Sequence, residues 1–187
     1  MNDASLGFSG DADYAPAPRN GLNLGVKQTY EIQYSHPDGT SWTEVIHNLV
    51  PNAALNALLD ILYGATAKFG SLYTFLVTGP GASNTYAAGD TAGSHAGWSE
   101  AVPYSDAARP TATFGSSSGQ AISNSGSPAV FNINATATIA GCGLATVSTK
   151  SGTTGTIVGV GNFTGGDRSV ASGGTLTVTV TATAATA

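Results

Sequence analysis

Residues 175–184 read TLTVTVTATA, with threonine at every odd position through Thr183 and Leu176, Val178, Val180 and Ala182 between them. A period of two cannot make a helical stripe; it sends one row of side chains to a core and the other to the opposite face of a pleated sheet. Threonine and valine are β-branched and suit that pleat. A strand of ten such residues is roughly 34 Å long, so the rest of the chain has to supply neighbours for it.

The same alternation supplies them. In QTYEIQY (28–34), Tyr30, Ile32 and Tyr34 face one way and Thr29, Glu31 and Gln33 the other. HPDGT follows as a turn, Pro37 presetting its φ and Gly39 supplying a positive one. SWTEVIHNLV (41–50) then returns as the second strand of a hairpin. SLYTFLV (71–77), AVFNINATATIA (129–140, with Phe131, Ile133, Ala135, Ala137 and Ile139 on one face) and TIVGVGNF (156–163) read as further strands between Gly/Ser/Asn turns. The expected fold is all-β: an antiparallel β-sandwich, jelly-roll or immunoglobulin-like, with one short helix and an extended N-terminal arm. The absence of βαβ alternation excludes a parallel nucleotide-binding sheet, and no repeat at a solenoid or propeller period is present.

PNAALNALLDILYG (51–64) changes period. Leu55, Leu58, Leu59 and Leu62 fall at i, i+3, i+4 and i+7, which predicts a helix over about 53–63. Asn52 is the candidate N-cap after Pro51, and Gly64 stands where a left-handed C-terminal cap belongs. Its leucine stripe is expected to pack across the open end or face of a sheet, each side chain contributing ~1.5–3 kcal/mol. Residues 1–25, rich in Gly, Ala, Pro and acids and without periodicity, are expected to form the arm, with Phe8 and Tyr14 as its candidate anchors; residues 26–187 are the sandwich domain.

Charge bounds the function. Only 9% of residues are charged, the formal net charge is -5, and the six cations stand singly. Nucleic-acid binding needs clustered cations that displace counterions and is disfavoured. The N-terminus has neither the basic nor the apolar region of a secretory signal, and no apolar run reaches membrane-spanning length, so no membrane partner is expected. The single Cys142 excludes a disulfide framework or a multi-cysteine metal site, and a buried apolar role is expected for it. A surface built from Gly, Ser, Thr and Asn suits a crowded or external particle.

Residues 93–110, GSHAGWSEAVPYSDAARP, concentrate reactive groups: Ser94, His95, Ser99, Glu100, Asp106 and Arg109. GWSEA (97–101) comes within one residue of the G-x-S-x-G elbow of α/β-hydrolases, but Val102 and Pro103 stop the helix that the elbow requires. Ser94 and His95 are adjacent, a spacing that rarely gives attacking geometry. His36, His47 and His95 have no metal-ligand spacing. Asp11 and Asp13 open a D-x-D without the glycine and glutamate of an EF-hand. Gly159, Gly161 and Gly165 sit in a strand context, not in a phosphate loop. The sequons at Asn134 and Asn162 carry no weight without export. No catalytic, cofactor-binding or metal-ligating residue is assigned, and no cofactor is expected. Trp98, Tyr104 and Phe114 read as packing residues, and Arg109 as the cation that pairs with Asp106 or Glu100, stacks on an aromatic and pins a long loop.

Three stretches, NLVPNAALNALLDILYG (48–64), AAGDTAGSHAGWSEAVPYSDAARPTATF (87–114) and KSGTTGTIVGVGNFTGGDRSVASGGTLTVTVTATA (150–184), occur together. In order and content they resemble a family of tailed-bacteriophage virion proteins, in which a GDT segment, a HAGW-E segment, a Y-S-x-A-x-R-P segment and a terminal Thr/Val strand recur. The similarity covers residues 28–185 and leaves the arm outside it. The resemblance implies a structural place in a virion. Joined to the composition, it gives the expectation of a non-enzymatic capsid decoration (cement) protein on the outer surface of the head. Such a protein would be assembled in the host cytoplasm, with the major capsid protein and copies of itself as partners, as a dimer or trimer fastened partly by its arm. The alternative is a tail, collar or fibre component that binds a receptor through its Gly/Ser-rich loops; behind it stands a virion-associated hydrolase using Ser99 or Glu100.

Overall fold

The computed structural model describes residues 24–186. The expected arm, with Phe8 and Tyr14, lies outside the described residues except for Leu24 and Gly25, which already belong to the first strand.

The strand that opened the sequence reading, β11 (Thr175–Thr186), runs down the centre of one sheet. It pairs antiparallel with β1 (Leu24–Ser35) over twelve positions, Leu24 against Thr186 through Ser35 against Thr175. β2 (Ser41–His47) returns from the Pro37–Gly39 turn onto the other side of β1, as the hairpin pattern predicts. After that hairpin come α1 (Asn52–Leu62), β3 (Leu72–Thr78), the two-residue β4 (Glu100–Ala101) and β5 (Thr111–Ala112). Then come β6 (Ala121–Ser123), β7 (Ala129–Asn132), β8 (Ala137–Ala145), β9 (Ile157–Asn162) and β10 (Arg168–Val170). One five-stranded sheet runs β2-β1-β11-β6 with β7 also on β11; a six-stranded one runs β10-β8-β3-β4 with β5 on β3 and β9 on β8. Every pairing is antiparallel, and the result is a β-sandwich with one helix.

The core fills the space between the sheets: Tyr30, Ile32 and Tyr34 of β1, Leu176, Val178 and Val180 of β11, and Phe131 from one side meet Leu76, Ile139, Cys142 and Leu144 from the other. Burial pushes the Cys142 thiol well above its ordinary pKa and keeps it a small protonated apolar residue, as expected from its isolation in the sequence. A second buried cluster, Phe75, Val77, Trp98, Ala145, Ile157 and Val160, covers the outer face of the six-stranded sheet. β3 and β8 are therefore buried on both faces and read as continuous runs rather than alternations.

Three expectations are corrected. AVFNINATATIA is not one strand: the chain leaves the first sheet after β7 and enters the second at β8. Ile133 and Asn134 make the crossing, tied by a bridge to Tyr104 and by the Asn134 N–H to the Pro103 carbonyl. Both sheets face one core, so the alternation persists through the crossing and hides it. At α1 the N-cap is Pro51, without a side-chain cap, and Asn52 is already helical; Gly64 at φ 75° does supply the left-handed exit. Of the leucine stripe only Leu58 turns inward. The helix seats a neighbouring row, buried Ala54 with half-buried Ala57, Leu58 and Ile61, whose small alanines allow closer approach; Leu55, Leu59 and Leu62 stay exposed.

Two glycines make the double burial of β8 feasible. A Cβ on Gly143 would lie 2.2 Å from Phe75 Cζ and 2.6 Å from the Gly159 carbonyl oxygen, and one on Gly141 would lie 1.9 Å from the Gly161 oxygen. Gly143→Ala will lower the unfolding free energy in urea by about 3 kcal/mol. Gly70→Ala, with nothing within 4 Å of its Cβ, will leave it unchanged; equal effects at the two sites would refute the close-approach account.

The first turn carries a titratable pair. Asp38 Oδ1 accepts from the Thr40 N–H at 2.8 Å and lies 2.8 Å from His36 Nδ1, while His36 Nε2 lies 3.2 Å from the Ser172 carbonyl oxygen. The Thr40 N–H first, and His36 second, hold Asp38 down to about 2, and the hydrogen bond to Asp38 raises His36. The His36 contribution is complete below its unfolded pKa and fades as pH rises through its raised folded value; the Asp38 contribution is present above its unfolded pKa and is lost as pH falls towards about 2. NMR titration will find His36 above its ordinary value of about 6.5, and Asp38→Asn will bring it down; an unshifted His36 would show that the pair does not form.

Candidate functional site

The reactive stretch 93–110 lies across the outer face of the six-stranded sheet, where its side chains meet β3 and the segment after β8. β4 holds Glu100 against Val77, and the chain returns through β5 so that the Arg109 N–H donates to the Ser148 carbonyl at 2.8 Å. Arg109 and Glu100 thus meet with side chains only 6% and 4% exposed. Arg109 Nε and Nη2 donate to Glu100 Oε1 and Oε2 at 3.1 and 2.7 Å, a bidentate pair. Nη1 donates to the Val147 carbonyl at 2.9 Å, the Ser151 N–H donates to Glu100 Oε2 at 2.7 Å, and the guanidinium stands 5.2 Å from the centre of the Phe75 ring. Of the two carboxylates open to Arg109 in the sequence, Glu100 is chosen. Asp106 instead accepts from the N–H and side-chain amide of Asn132, each at 3.0 Å, and ties the loop to β7.

Around this pair the expected packing residues divide. Trp98 is buried, stacked on Phe75 at 5.5 Å and on His95 at 4.0 Å, and its indole N–H donates to Asp90 at 2.9 Å. Tyr104 enters the main core edge-on to Phe131 at 4.9 Å, with Lys150 Nζ 4.1 Å from its ring centre and donating to its carbonyl. Burial, reinforced by the Glu100 charge, pushes the Tyr104 phenol well above its ordinary value, so it stays neutral. Phe114 is not part of this group. It lines a recess of about 660 Å³ at the open end of the sandwich with Phe69, Leu72, Ile122, Leu144 and Val180. Phe8 and Tyr14 lie outside the described residues.

His95, Trp98, Ser99, Glu100 and Arg109 border a smaller recess of about 220 Å³. Its charged pair is turned inward, while Ser99 is exposed at its rim. Both Glu100 oxygens and all three Arg109 nitrogens are engaged, and His95 Nδ1 is 3.1 Å from the Trp98 carbonyl oxygen, so that nitrogen is the donor. Glu100 and Ala101 form a strand where a nucleophile elbow would begin a helix. Among the described residues no three His, Cys, Asp or Glu side chains converge as a metal site, no buried side-chain polar atom lacks a partner, and no helix is long and apolar enough to cross a membrane. The bidentate Glu100–Arg109 pair pins the loop to the sheet and to the segment after β8.

A second pin went unread in the sequence. Glu44, on the inner row of β2 and only 4% exposed, accepts from Arg168 Nε at 2.6 Å and from the Gly165 N–H at 3.0 Å, joining β2 to β10 across the edge of the sandwich. Nothing in the local pattern matches Glu44 to Arg168, which lies 124 residues away. The inward parity of Glu44, between Trp42 and Ile46, was the available signal. Also unread was the polar group of Gln28, Tyr30 and Asn48, in which Gln28 Oε1 accepts from Tyr30 at 2.9 Å and Asn48 at 2.8 Å beneath Gly159.

No family model matches this chain, no curated protein matches it, and no solved structure matches its fold.

Breaking a buried pair strands the remaining charge. Arg109→Met will cost ~3–5 kcal/mol in urea unfolding, and Arg109→Met with Glu100→Gln will recover most of that loss. Additive losses in the double variant would show that the two side chains act separately.

Proposed function

We propose that this chain is a structural protein of a tailed-bacteriophage virion, a decoration protein that sits on the outside of the head and acts through subunit contacts. The observation that carries the reading is where its few charges go. Arg109, Arg168 and Lys150, half of the six cations, are spent on Glu100, Glu44 and the Tyr104 carbonyl, Arg109 buried and the other two half-buried. The outer face of the five-stranded sheet carries Thr175, Thr177, Thr179, Thr181 and Thr183, with Ser41 and Thr43 on the same face, and its charges are the opposite pair Lys27 and Glu31 on β1. A flat face with so few ions packs against a neighbour at little desolvation cost, and the resemblance of residues 28–185 to virion proteins points the same way.

The edges of the sheets support the arm's part in this reading. On one side, the Leu49–Val160 bridge and the donation from Thr164 N–H to the Val45 carbonyl stitch the two sheets together. On the other, Tyr104–Ile133 and Gly115–Ser123 do the same. One stretch differs. β2 pairs with β1 only from Thr29 onwards, so Leu24 and Val26, whose main-chain groups point to the β2 side, have no pairing partner there among the described residues. A neighbouring copy's arm can add there as an extra strand.

Copy number tests the reading. Hundreds of copies on purified virions are expected for a decoration protein; about three to twelve would place it in a tail, collar or fibre, with the Gly/Ser-rich loops as receptor contacts. Deleting residues 1–23 should leave the circular dichroism of the sandwich intact and reduce head occupancy at least about tenfold. Unchanged occupancy would remove the arm from the mechanism. Turnover of an ester or cell-wall substrate that is abolished by Glu100→Gln would favour the hydrolase instead.

A further inference from the structure

α1 carries more apolar surface than its own fold uses. Its only polar side chains, Asn52, Asn56 and Asp60, recur every fourth residue and form one row. The inner row, built around Ala54, faces the sandwich and touches β9. On the outer side Leu55, Leu59 and Leu62 are 41%, 52% and 58% exposed, and Tyr63 beside them is 81% exposed. Spacings of four and then three residues make this outer row a seam of the kind that helices use to pair. A helix that is apolar on nearly all sides is normally buried on all of them, and no described residue covers this side.

We propose that the Leu55–Leu59–Leu62 seam is the surface through which two copies of this chain pair, helix against helix, across a two-fold axis. The seam is self-complementary. An antiparallel two-fold near Leu59 sets Leu55 against the partner's Leu62 and Leu59 against the partner's Leu59, an isologous contact. The three leucines hold no ionised group, and the one acid of the helix, Asp60, stands about 100° round the helix from Leu59, so the charge that two copies bring is confined to the flank of the contact and weakens it without blocking it. The area fixes the strength. From these exposures the ridge offers roughly 450 Å² per copy, below the ~800 Å² per partner of a stable interface. The pairing is therefore a weak, reversible equilibrium in solution that fills when copies are held close together. It does not depend on a virion location, since the purified chain alone contains both halves of the contact.

Sedimentation of the full chain from about 10 μM to about 1 mM will show the average mass rising from 18.5 kDa towards twice that value. Leu59→Glu will weaken association at least about tenfold with unchanged circular dichroism. Leu59→Cys will form a disulfide-linked dimer on oxidation, while buried Cys142 leaves the parent chain unlinked. A constant monomer mass across the range, a dimer that survives Leu59→Glu, or a plateau above two copies each overturns the proposal. The cysteine variant decides the matter if the glutamate variant misfolds: a Leu59→Cys chain that remains monomeric under oxidation also overturns it.

Discussion

The double burial of β8 is the constraint from which the rest of the architecture follows. A strand at the middle of a sheet that is covered on both faces needs a second layer outside it, and the loops between β3 and β5 become that layer. β9 and the Phe75 ring come so close that two positions of β8 have no room for a side chain beyond hydrogen. The loop that forms the outer layer has little regular structure, and its backbone must still be fixed. The Glu100–Arg109 pair does this, holding Val147, Ser151 and the two halves of the loop in one hydrogen-bonded cluster.

The economy of charge follows from the same logic. In a chain with 9% charged residues, ions placed on the surface would be weakly coupled to anything. Here two carboxylates are instead buried at the seams, one at each edge of the structure, where loss of a partner is costly and the geometry is specific. The exposed faces are dominated by threonine, serine and, on the helix, leucine, with single charges such as Lys27, Glu31 and Asp60 among them.

What the sequence made legible is what depends on neighbours along the chain. The β1–β2 hairpin, β11 and the span of α1 follow from periodicity and turn residues, and Gly64 from its obligatory left-handed φ. The packing roles of Trp98, Tyr104 and Arg109 were readable because a Trp, a Tyr and an Arg in an otherwise small-residue loop have few alternatives. What stayed hidden depends on partners far away. The crossing at Ile133 is silent because one core serves both sheets, Arg168 is paired by tertiary position alone, and the short strands β4, β5, β6 and β10 have too few residues to show a period. The inward row of α1, Ala54, Ala57, Leu58 and Ile61, has the same i, i+3, i+4, i+7 spacing as the leucine row, so periodicity alone does not choose between them.

Because β1 and β11 are paired along their whole length, Leu24 lies beside Thr186, and the hairpin turn at Pro37–Gly39 lies at the opposite extreme with Gly173. The molecule accordingly has a polar axis in the geometrical sense, with both termini of the described fold at one pole. A peptide or domain joined directly at Leu24, or directly after Thr186, would be displayed at that same pole and leave the other free. Grafts at these two positions would also be held side by side, a vectorial property useful for building ordered arrays from this scaffold.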